Sequence, residues 1–148
     1  MHLVCDSSGI PLAAHLSAGQ RHEASQCVLL LQSITIKQKV KRSRKRPQVL
    51  VADKGFDSKK IRSYLRTRGI ASVIPEKKPR GKRRRKGRKP KFDKQLYKER
   101  NIIERLINWL KDNRRLATRY DKLASSFLVF VKLVFFTCYF KKLFSDRP

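Results

Sequence analysis

Two acidic residues stand where their type and position could support chemistry. Asp53 follows the continuous apolar run of residues 49–52, and in α/β folds ligands gather at the carboxyl ends of strands. Glu104 lies later, on a segment whose apolar residues recur at helical spacing. Two carboxylates that converge in a basic groove are typical ligands of a divalent metal that assists phosphodiester cleavage. Taken alone, Asp53 could also begin a loop or cap a turn.

Four residues of the segment around Glu104 share one stripe of a predicted helix. At about 100° per residue they fall within about 60° of one another; they are Tyr97, Arg100, Glu104 and Lys111. A core face lies beside the stripe and is formed by Leu96, Ile103, Leu106, Ile107 and Leu110. The alternative is an ordinary ion pair between Arg100 and Glu104, which contributes about 0.2–0.5 kcal/mol on an exposed helix. In the chemical interpretation, Arg100 and Lys111 position phosphate groups.

The charge of the chain predicts a polyanionic partner. It has 38 Lys and Arg residues against 11 Asp and Glu, a formal net charge of +27, and like charges in this excess repel one another unless a partner neutralises them. Residues 77–91 contain 11 of the basic residues, interrupted by Pro and Gly, which predicts a disordered or extended basic loop. We expect DNA contacts at Lys82, Arg83, Arg84, Arg85, Lys86, Arg88 and Lys89, together with Arg100 and Lys111.

The elements that would position these residues form an α/β pattern. Strand 49–52, a helix that Asp57 and Ser58 can cap and that stops at Gly69, and strand 71–74 predict a parallel crossover. The remaining predicted elements are a hairpin of strands 1–6 and 9–17, a helix over 22–39, and two final helices over 92–116 and 122–144. The whole chain, residues 1–148, fits one domain.

Neither the cysteines nor the apolar C-terminal run predicts a different class of protein. The three cysteines lack the paired spacing of a zinc site or a disulfide framework, so we expect buried thiols in a reducing cytoplasm. The apolar run of residues 127–140 is interrupted by Lys132 and is shorter than the roughly 20 residues that a membrane span requires. We therefore expect a buried helix, no membrane partner and a cytoplasmic, nucleoid-associated protein.

At the stripe residues the sequence resembles the DDE transposases of bacterial insertion sequences. Their third catalytic motif reads Tyr, two residues, Arg, three residues, Glu, six residues, Lys, and the four stripe residues match it in full. Residues 52–57 look like the family's second motif, and residues 9–12, 19–23 and 118–122 are similar to other recurring segments. The resemblance implies a ribonuclease-H-like fold, Asp53 as second catalytic acid, Glu104 as third, and Mg²⁺ or Mn²⁺ as cofactor. Its implied partner is DNA at the ends of the insertion sequence.

The sequence departs from the family at the first catalytic acid. In the family this acid lies on a first strand, upstream of the hairpin that opens this chain, and Asp6 falls on a turn and does not replace it. That first strand is central, between the second strand and the strand ending at Asp53. We therefore expect a partial DDE catalytic domain over 1–148, marginally folded and inactive alone unless the upstream part of a transposase or another copy completes it.

Two other functions are compatible with the same composition. A surviving fragment could bind the element's ends without catalysis and repress transposition. A small basic RNA-binding or ribosome-associated protein would explain residues 77–91 but not the matched third motif. Binding of nucleic acid would weaken with salt for the transposase and for both alternatives, because phosphate contacts release counterions. Sequence preference at fixed salt therefore separates the three functions, whereas salt dependence does not.

Overall fold

A computed structural model describes residues 1–18, 23–36, 43, 45–77, 92–118 and 121–145. Apart from Lys77, the basic loop predicted over 77–91 lies outside the described residues, and so do its expected DNA contacts from Lys82 to Lys89. The described part contains strands and helices in the mixed order of an α/β protein. The coarse fold class is therefore as predicted.

The chain opens with the predicted hairpin. Strands β1 (His2–Cys5) and β2 (Pro11–His15) pair antiparallel, with an irregularity of register between Val4 and Cys5. Asp6 Oδ1 accepts the backbone N–H groups of Ser8 (2.8 Å) and Ile10 (2.9 Å), which fixes the turn between the strands. Asp6 thus has a local structural role.

The predicted parallel crossover is confirmed. Strand β3 (Val49–Val51) pairs in parallel with β4 (Ala71–Val73), and helix α2 (Lys59–Thr67) connects them after a short 3-10 turn (Lys54–Phe56). Ser58 is the N-cap of α2, where its side chain accepts the N–H of Ile61. Such a cap satisfies a backbone donor that the first helical turn leaves free.

Helix α1 (Glu23–Ser33) is shorter than predicted. The spacing of apolar residues favoured a helix to residue 39, but residues 34 and 35 are not helical and residues 37–39 lie outside the described part. The β-branched run Ile34, Thr35 and Ile36 explains the early end, because its side chains lose rotamer freedom against a preceding helical turn.

The single helix predicted over 92–116 is wrong. The segment divides into α3 (Lys94–Lys98), α4 (Asn101–Asp112) and α5 (Arg114–Thr118). Between α3 and α4 the N–H groups of residues 99, 100, 102 and 103 bond the carbonyls three residues back, which is the tighter 3-10 pattern. Asn113 then takes an extended conformation (ψ 99°) and ends α4. The second predicted helix is confirmed as α6 (Ala124–Ser145), but the expectation that it is buried is wrong, since Val129, Leu133 and Phe136 are more than half exposed.

Two apolar clusters lie on opposite sides of the hairpin. Side chains alternate across a strand, so Val4 packs with the cluster of α1, α2, β3 and β4, whereas Leu3 and Cys5 pack with the cluster of α4, α5 and α6. The first cluster is Cys27, Leu31, Ile34, Leu50, Ile61, Leu65, Ile70 and Ile74; the second is Leu106, Leu110, Leu116, Phe127, Val131 and Phe135. The hairpin is thus the layer between two helical layers.

The strands form two small sheets. Within the described residues, β1 pairs with β2 and β3 pairs with β4, and the two pairs are not hydrogen-bonded to each other. Helix α1 contributes Cys27 and Leu31 to a cluster that also includes Val4 of β1 and Leu50 of β3. Helix α1 therefore packs against the hairpin and against the 3-10 turn and α2 of the crossover. No helix in the described part is long and apolar enough to span a membrane.

Candidate functional site

Asp53 lies at the carboxyl end of β3. The N–H of Ala52 still bonds Val73 O of β4 (3.2 Å), so parallel pairing continues up to the residue before Asp53. Asp53 is extended (ψ 160°), and its carbonyl accepts the N–H of Phe56 (2.9 Å) in the following 3-10 turn. Its backbone is thereby fixed on both sides, while its carboxylate is about half exposed.

Arg100 connects Asp53 to Glu104. Its Nη1 donates to Asp53 Oδ2 at 3.0 Å and its Nη2 to Glu104 Oε1 at 2.7 Å. The guanidinium side chain is 23% exposed, whereas the two carboxylates are 52% and 53% exposed. A planar fork of N–H donors can bind two carboxylates at once, which a lysine ammonium does with less geometric definition. The strand-end acid and the helical acid therefore meet at one guanidinium.

Tyr97 completes this contact from α3. Its hydroxyl donates to Asp53 Oδ1 at 3.3 Å, and its ring lies 5.8 Å from the Arg100 guanidinium carbon. Phe92 packs on the same ring, with centroids 5.2 Å apart. Both oxygens of the Asp53 carboxylate thus have donors from the segment that precedes α4.

Asp57 braces the turn that follows Asp53. Its Oδ1 accepts Arg62 Nε and its Oδ2 accepts the backbone N–H of Lys77, both at 2.6 Å. Arg62 Nη2 also donates to Ile74 O at 3.0 Å. Asp57 therefore does not cap α2, as its position suggested, but ties the start of the helix to the chain beyond β4. The sequence does not predict this role of Asp57, because the backbone atoms of Lys77 and Ile74 that take part are distant in the chain.

Three of the four stripe residues meet at the site. Tyr97, Arg100 and Glu104 belong to the network around Asp53, whereas Lys111 is exposed in the last turn of α4. Seven residues of helix place Lys111 about 10 Å beyond Glu104 along the axis. Lys111 therefore lies on the same face of the helix as Glu104 but too far along the axis to contact the same group. The expected phosphate contact of Lys111 stays a prediction, and that of Arg100 must compete with two carboxylates.

The donor chemistry of the site fits a hard divalent cation in part. Carboxylate oxygens are the ligands that Mg²⁺ and Mn²⁺ prefer, and Asp53 and Glu104 each keep exposed surface. A Cβ added at Gly55 would meet no atom of the described residues within 4 Å, so these residues leave the space beside Gly55 open. Among the described residues no group of three or more His, Cys, Asp or Glu side chains could hold a metal. Two carboxylate side chains are fewer ligands than such a cation takes.

The three cysteines are free thiols. Cys27 is buried, and Cys5 and Cys138 are partly buried. Burial raises the pKa of the Cys27 thiol to about 11, and burial with the nearby Asp6 charge raises the pKa of Cys5 to about 11. The thiols are therefore protonated and weakly nucleophilic at neutral pH.

In this α/β chain of charge +27, a strand-end aspartate and a helical glutamate share one guanidinium. The family model described as "Transposase DDE domain" matches residues 1–140. This chain belongs to the transposase DDE domain family.

Two relatives extend this result. A protein named as transposase for insertion sequence element IS402 of Burkholderia cepacia is 34% identical over 133 residues, which cover 89% of this chain and 58% of the relative. A protein named as transposase for element IS6501 of Brucella ovis is 29% identical over 133 residues, which cover 90% of this chain and 91% of the relative. The chain thus spans little more than half of one relative and nearly all of the other. No solved structure matches it significantly.

Proposed function

We propose that this chain is the C-terminal part of an insertion-sequence transposase that cleaves and joins DNA strands. The observation that carries the proposal is the bridge from Asp53 through Arg100 to Glu104, with hydrogen bonds of 3.0 and 2.7 Å. Family membership supports phosphodiester chemistry, and the bridge supports Asp53 and Glu104 as two of the acids that would serve it. Insertion-sequence ends are the proposed substrate, in keeping with the names of both relatives.

Each residue of the network has a proposed role. Asp53 and Glu104 would hold Mg²⁺ or Mn²⁺, which when bound activates the attacking hydroxyl and stabilises the leaving oxygen. Arg100 bonds both carboxylates and offsets their mutual repulsion before a cation arrives, and Tyr97 orients Asp53 through its hydroxyl. Lys111 and the basic residues between Lys82 and Lys89 would bind DNA phosphates and orient the strand.

A third carboxylate is proposed to come from an upstream segment. Two features support this: β1–β2 and β3–β4 are separate within the described part although both contribute side chains to one apolar cluster, and the chain spans 58% of the IS402 relative. A strand between β1 and β3 would pair backbone groups at both edges, which otherwise need other partners. On this proposal the chain alone neither cleaves nor joins DNA, and the upstream segment supplied with it restores both.

The proposal is tested by strand transfer of labelled insertion-sequence ends with the full chain, with and without the upstream segment. We expect products only with that segment and Mg²⁺ or Mn²⁺. Asp53→Asn or Glu104→Gln should lower the rate about 100- to 1,000-fold, a loss typical of a group that stabilises charge in the transition state. Glu99→Gln changes an exposed glutamate on the same segment and should keep the rate. Strand transfer that survives Glu104→Gln contradicts the assignment.

A non-catalytic repressor is the second candidate. It is favoured by the occupation of both carboxylates by Arg100 in a strongly basic chain, since binding of DNA by charge needs neither acid. Competition binding at fixed salt decides between the two. Specific binding of element ends that persists in the Asp53→Ala, Glu104→Ala double variant, without strand transfer when the upstream segment is supplied, would favour the repressor.

A further inference from the structure

Lys77 is held at two points beside the turn that follows Asp53. Its backbone N–H donates to Asp57 Oδ2 at 2.6 Å, and its side-chain Nζ donates to Gly55 O at 3.2 Å. Gly55 is two residues after Asp53, and two residues of chain span at most about 7 Å. The two contacts therefore place the ammonium group of Lys77 on the surface next to the strand-end acid.

The positive charge of Lys77 is not paired with a carboxylate of the described residues. Asp57 Oδ2 accepts the backbone N–H of Lys77, and Asp57 Oδ1 forms its ion pair with Arg62 Nε at 2.6 Å. An ammonium group has three N–H donors, and within the described part that of Lys77 bonds a neutral carbonyl. Two donors and a full charge are thus left for an anionic ligand.

The surface beside this ammonium group can admit a DNA strand. Gly55 and Lys77 are exposed, and a Cβ added at Gly55 would meet no atom of the described residues within 4 Å. The Asp53 carboxylate is 52% exposed. Each nucleotide advances a strand by about 3.4 Å along the duplex axis. A phosphate bound by Lys77 would therefore lie within about two nucleotides of a phosphate at Asp53.

The other cations of this region are less suited to that contact. Arg100 already donates to both carboxylates of the site, so a phosphate would have to compete with them. Lys111 lies about 10 Å beyond Glu104 along α4. Lys54 follows the strand-end acid directly, but no hydrogen bond to a described residue holds its ammonium group. Lys77 combines a fixed position with a charge that no described acid neutralises.

We propose that Lys77 binds a DNA phosphate next to the phosphodiester at Asp53, and that Asp57 is the positioning residue that places Lys77 there. The ligand class is a phosphodiester, whose oxygens accept charge-assisted hydrogen bonds from an ammonium group. This role rests on the proposed function, which brings the DNA strand to Asp53. The charge pattern of the sequence did not single out Lys77, because it is one of 11 basic residues between 77 and 91.

Two variants separate the ammonium group from its support. Lys77→Ala removes the charge but keeps the backbone N–H that bonds Asp57. Asp57→Asn keeps the charge on Lys77 but weakens the contacts that place it. Lys132→Ala is the matched control, since it removes an exposed lysine of α6, which packs on the other side of the hairpin. Circular dichroism confirms that each variant is folded at the temperature of the measurement.

Binding of labelled insertion-sequence ends to the full chain, supplied with the upstream segment, measures the contact without turnover. Phosphates near the end are replaced one at a time by uncharged methylphosphonates. At the contacted phosphate, the replacement should raise the Kd of the wild-type chain about threefold to tenfold, but that of Lys77→Ala less than about twofold. Asp57→Asn should respond as weakly as Lys77→Ala, and Lys132→Ala as strongly as the wild-type chain.

Salt gives a second reading of the same contact. The slope of log Kd against log salt should fall by about one in Lys77→Ala, as expected when one phosphate contact is lost. Lys77→Arg keeps a cation at this point and should retain most of the wild-type slope and of the methylphosphonate response. A role of Lys77 in folding alone would move neither reading once the variant is folded.

The position of the methylphosphonate response decides the proposal. A response that Lys77→Ala loses within about two nucleotides of the cleaved bond supports it. A response that Lys77→Ala keeps at every phosphate, or loses only farther away, overturns it, and an undiminished response in Asp57→Asn overturns the role of Asp57. A wild-type chain without preference for insertion-sequence ends overturns the proposed function and this role together. End binding and strand transfer that do not depend on Lys77 overturn this role alone.

Discussion

The crossover and helix α6 use apolar residues in opposite ways. In the crossover, Ile61 and Leu65 of α2 are 1% exposed and the other side of the helix is polar, so the chain covers its own apolar surface. In α6, Val131 is fully buried while Phe136 on the other face is 63% exposed. The crossover therefore resembles a complete unit, whereas α6 has the composition of an element covered on both sides.

The buried apolar residues of the crossover stabilise the fold, whereas the exposed apolar residues of α6 are not covered by the described residues. Asp53 lies in the crossover, where pairing of β3 and the turn braced by Asp57 fix its backbone. Its function, as proposed, still depends on an upstream segment that supplies a third carboxylate. The substitutions below test where the boundary between the two kinds of region lies.

The largest effect is expected from the crossover core. Leu65→Ala should lower the free energy of unfolding by about 2–5 kcal/mol, because it leaves a cavity in a packed cluster. Phe136→Ala removes more apolar atoms but should change the stability of the monomer by less than about 0.5 kcal/mol. Urea unfolding followed by far-ultraviolet circular dichroism at low protein concentration measures both. Equal losses would remove the contrast between the regions.

A smaller effect is expected at the brace after Asp53. Asp57→Asn should cost about 1–3 kcal/mol, since it weakens a partly buried contact to Arg62 and to the N–H of Lys77. Asp112→Asn, which changes an exposed acid on α4, should cost less than about 0.5 kcal/mol. Native-state hydrogen exchange at residues 54–58 gives a local measure. Protection there that is unchanged in Asp57→Asn contradicts the role of the brace.

The elements that could be predicted from sequence depend on local patterns. The hairpin, the cap of α2 by Ser58 and the length of α6 follow from turn residues, capping chemistry and apolar periodicity within a few residues. The division of the segment after Phe92 could not be predicted, because a tightened turn of i−3 hydrogen bonds keeps the apolar spacing nearly in register. Asn113 then ends α4 through a single change of ψ.

The site was predictable to a similar extent. Helical spacing placed Arg100 beside Glu104, and the strand-end position singled out Asp53, yet the guanidinium that joins the two acids is a contact across the fold. Asp57 accepts the backbone N–H of Lys77, and Arg62, which pairs with Asp57, donates to the carbonyl of Ile74. Residue spacing in the sequence does not predict such contacts with distant backbone atoms. The sequence therefore singled out Asp53, Arg100 and Glu104 as candidates, but it did not predict the hydrogen bonds between them.

A pH-dependent effect concerns Cys27. Its folded pKa of about 11 lies above the ordinary value of 9.0, so the folded state retains a proton that the unfolded chain loses between those values. This contribution to stability is fully present below pH 9 and is lost as the pH rises toward 11. Alkylation by iodoacetamide at pH 8 should be slow in the native chain and fast in urea. Rapid native alkylation at this position, mapped by mass spectrometry, contradicts burial of the thiol.

Binding of Mn²⁺ tests the central claim most directly, because it requires neither DNA nor turnover. Electron paramagnetic resonance of Mn²⁺ titrated into the full chain, together with the upstream segment, should reveal a bound ion. The account predicts that Asp53→Asn and Glu104→Gln each weaken this site at least about tenfold, while Glu99→Gln leaves it unchanged. A site of undiminished affinity in the Asp53→Asn, Glu104→Gln double variant would contradict the account.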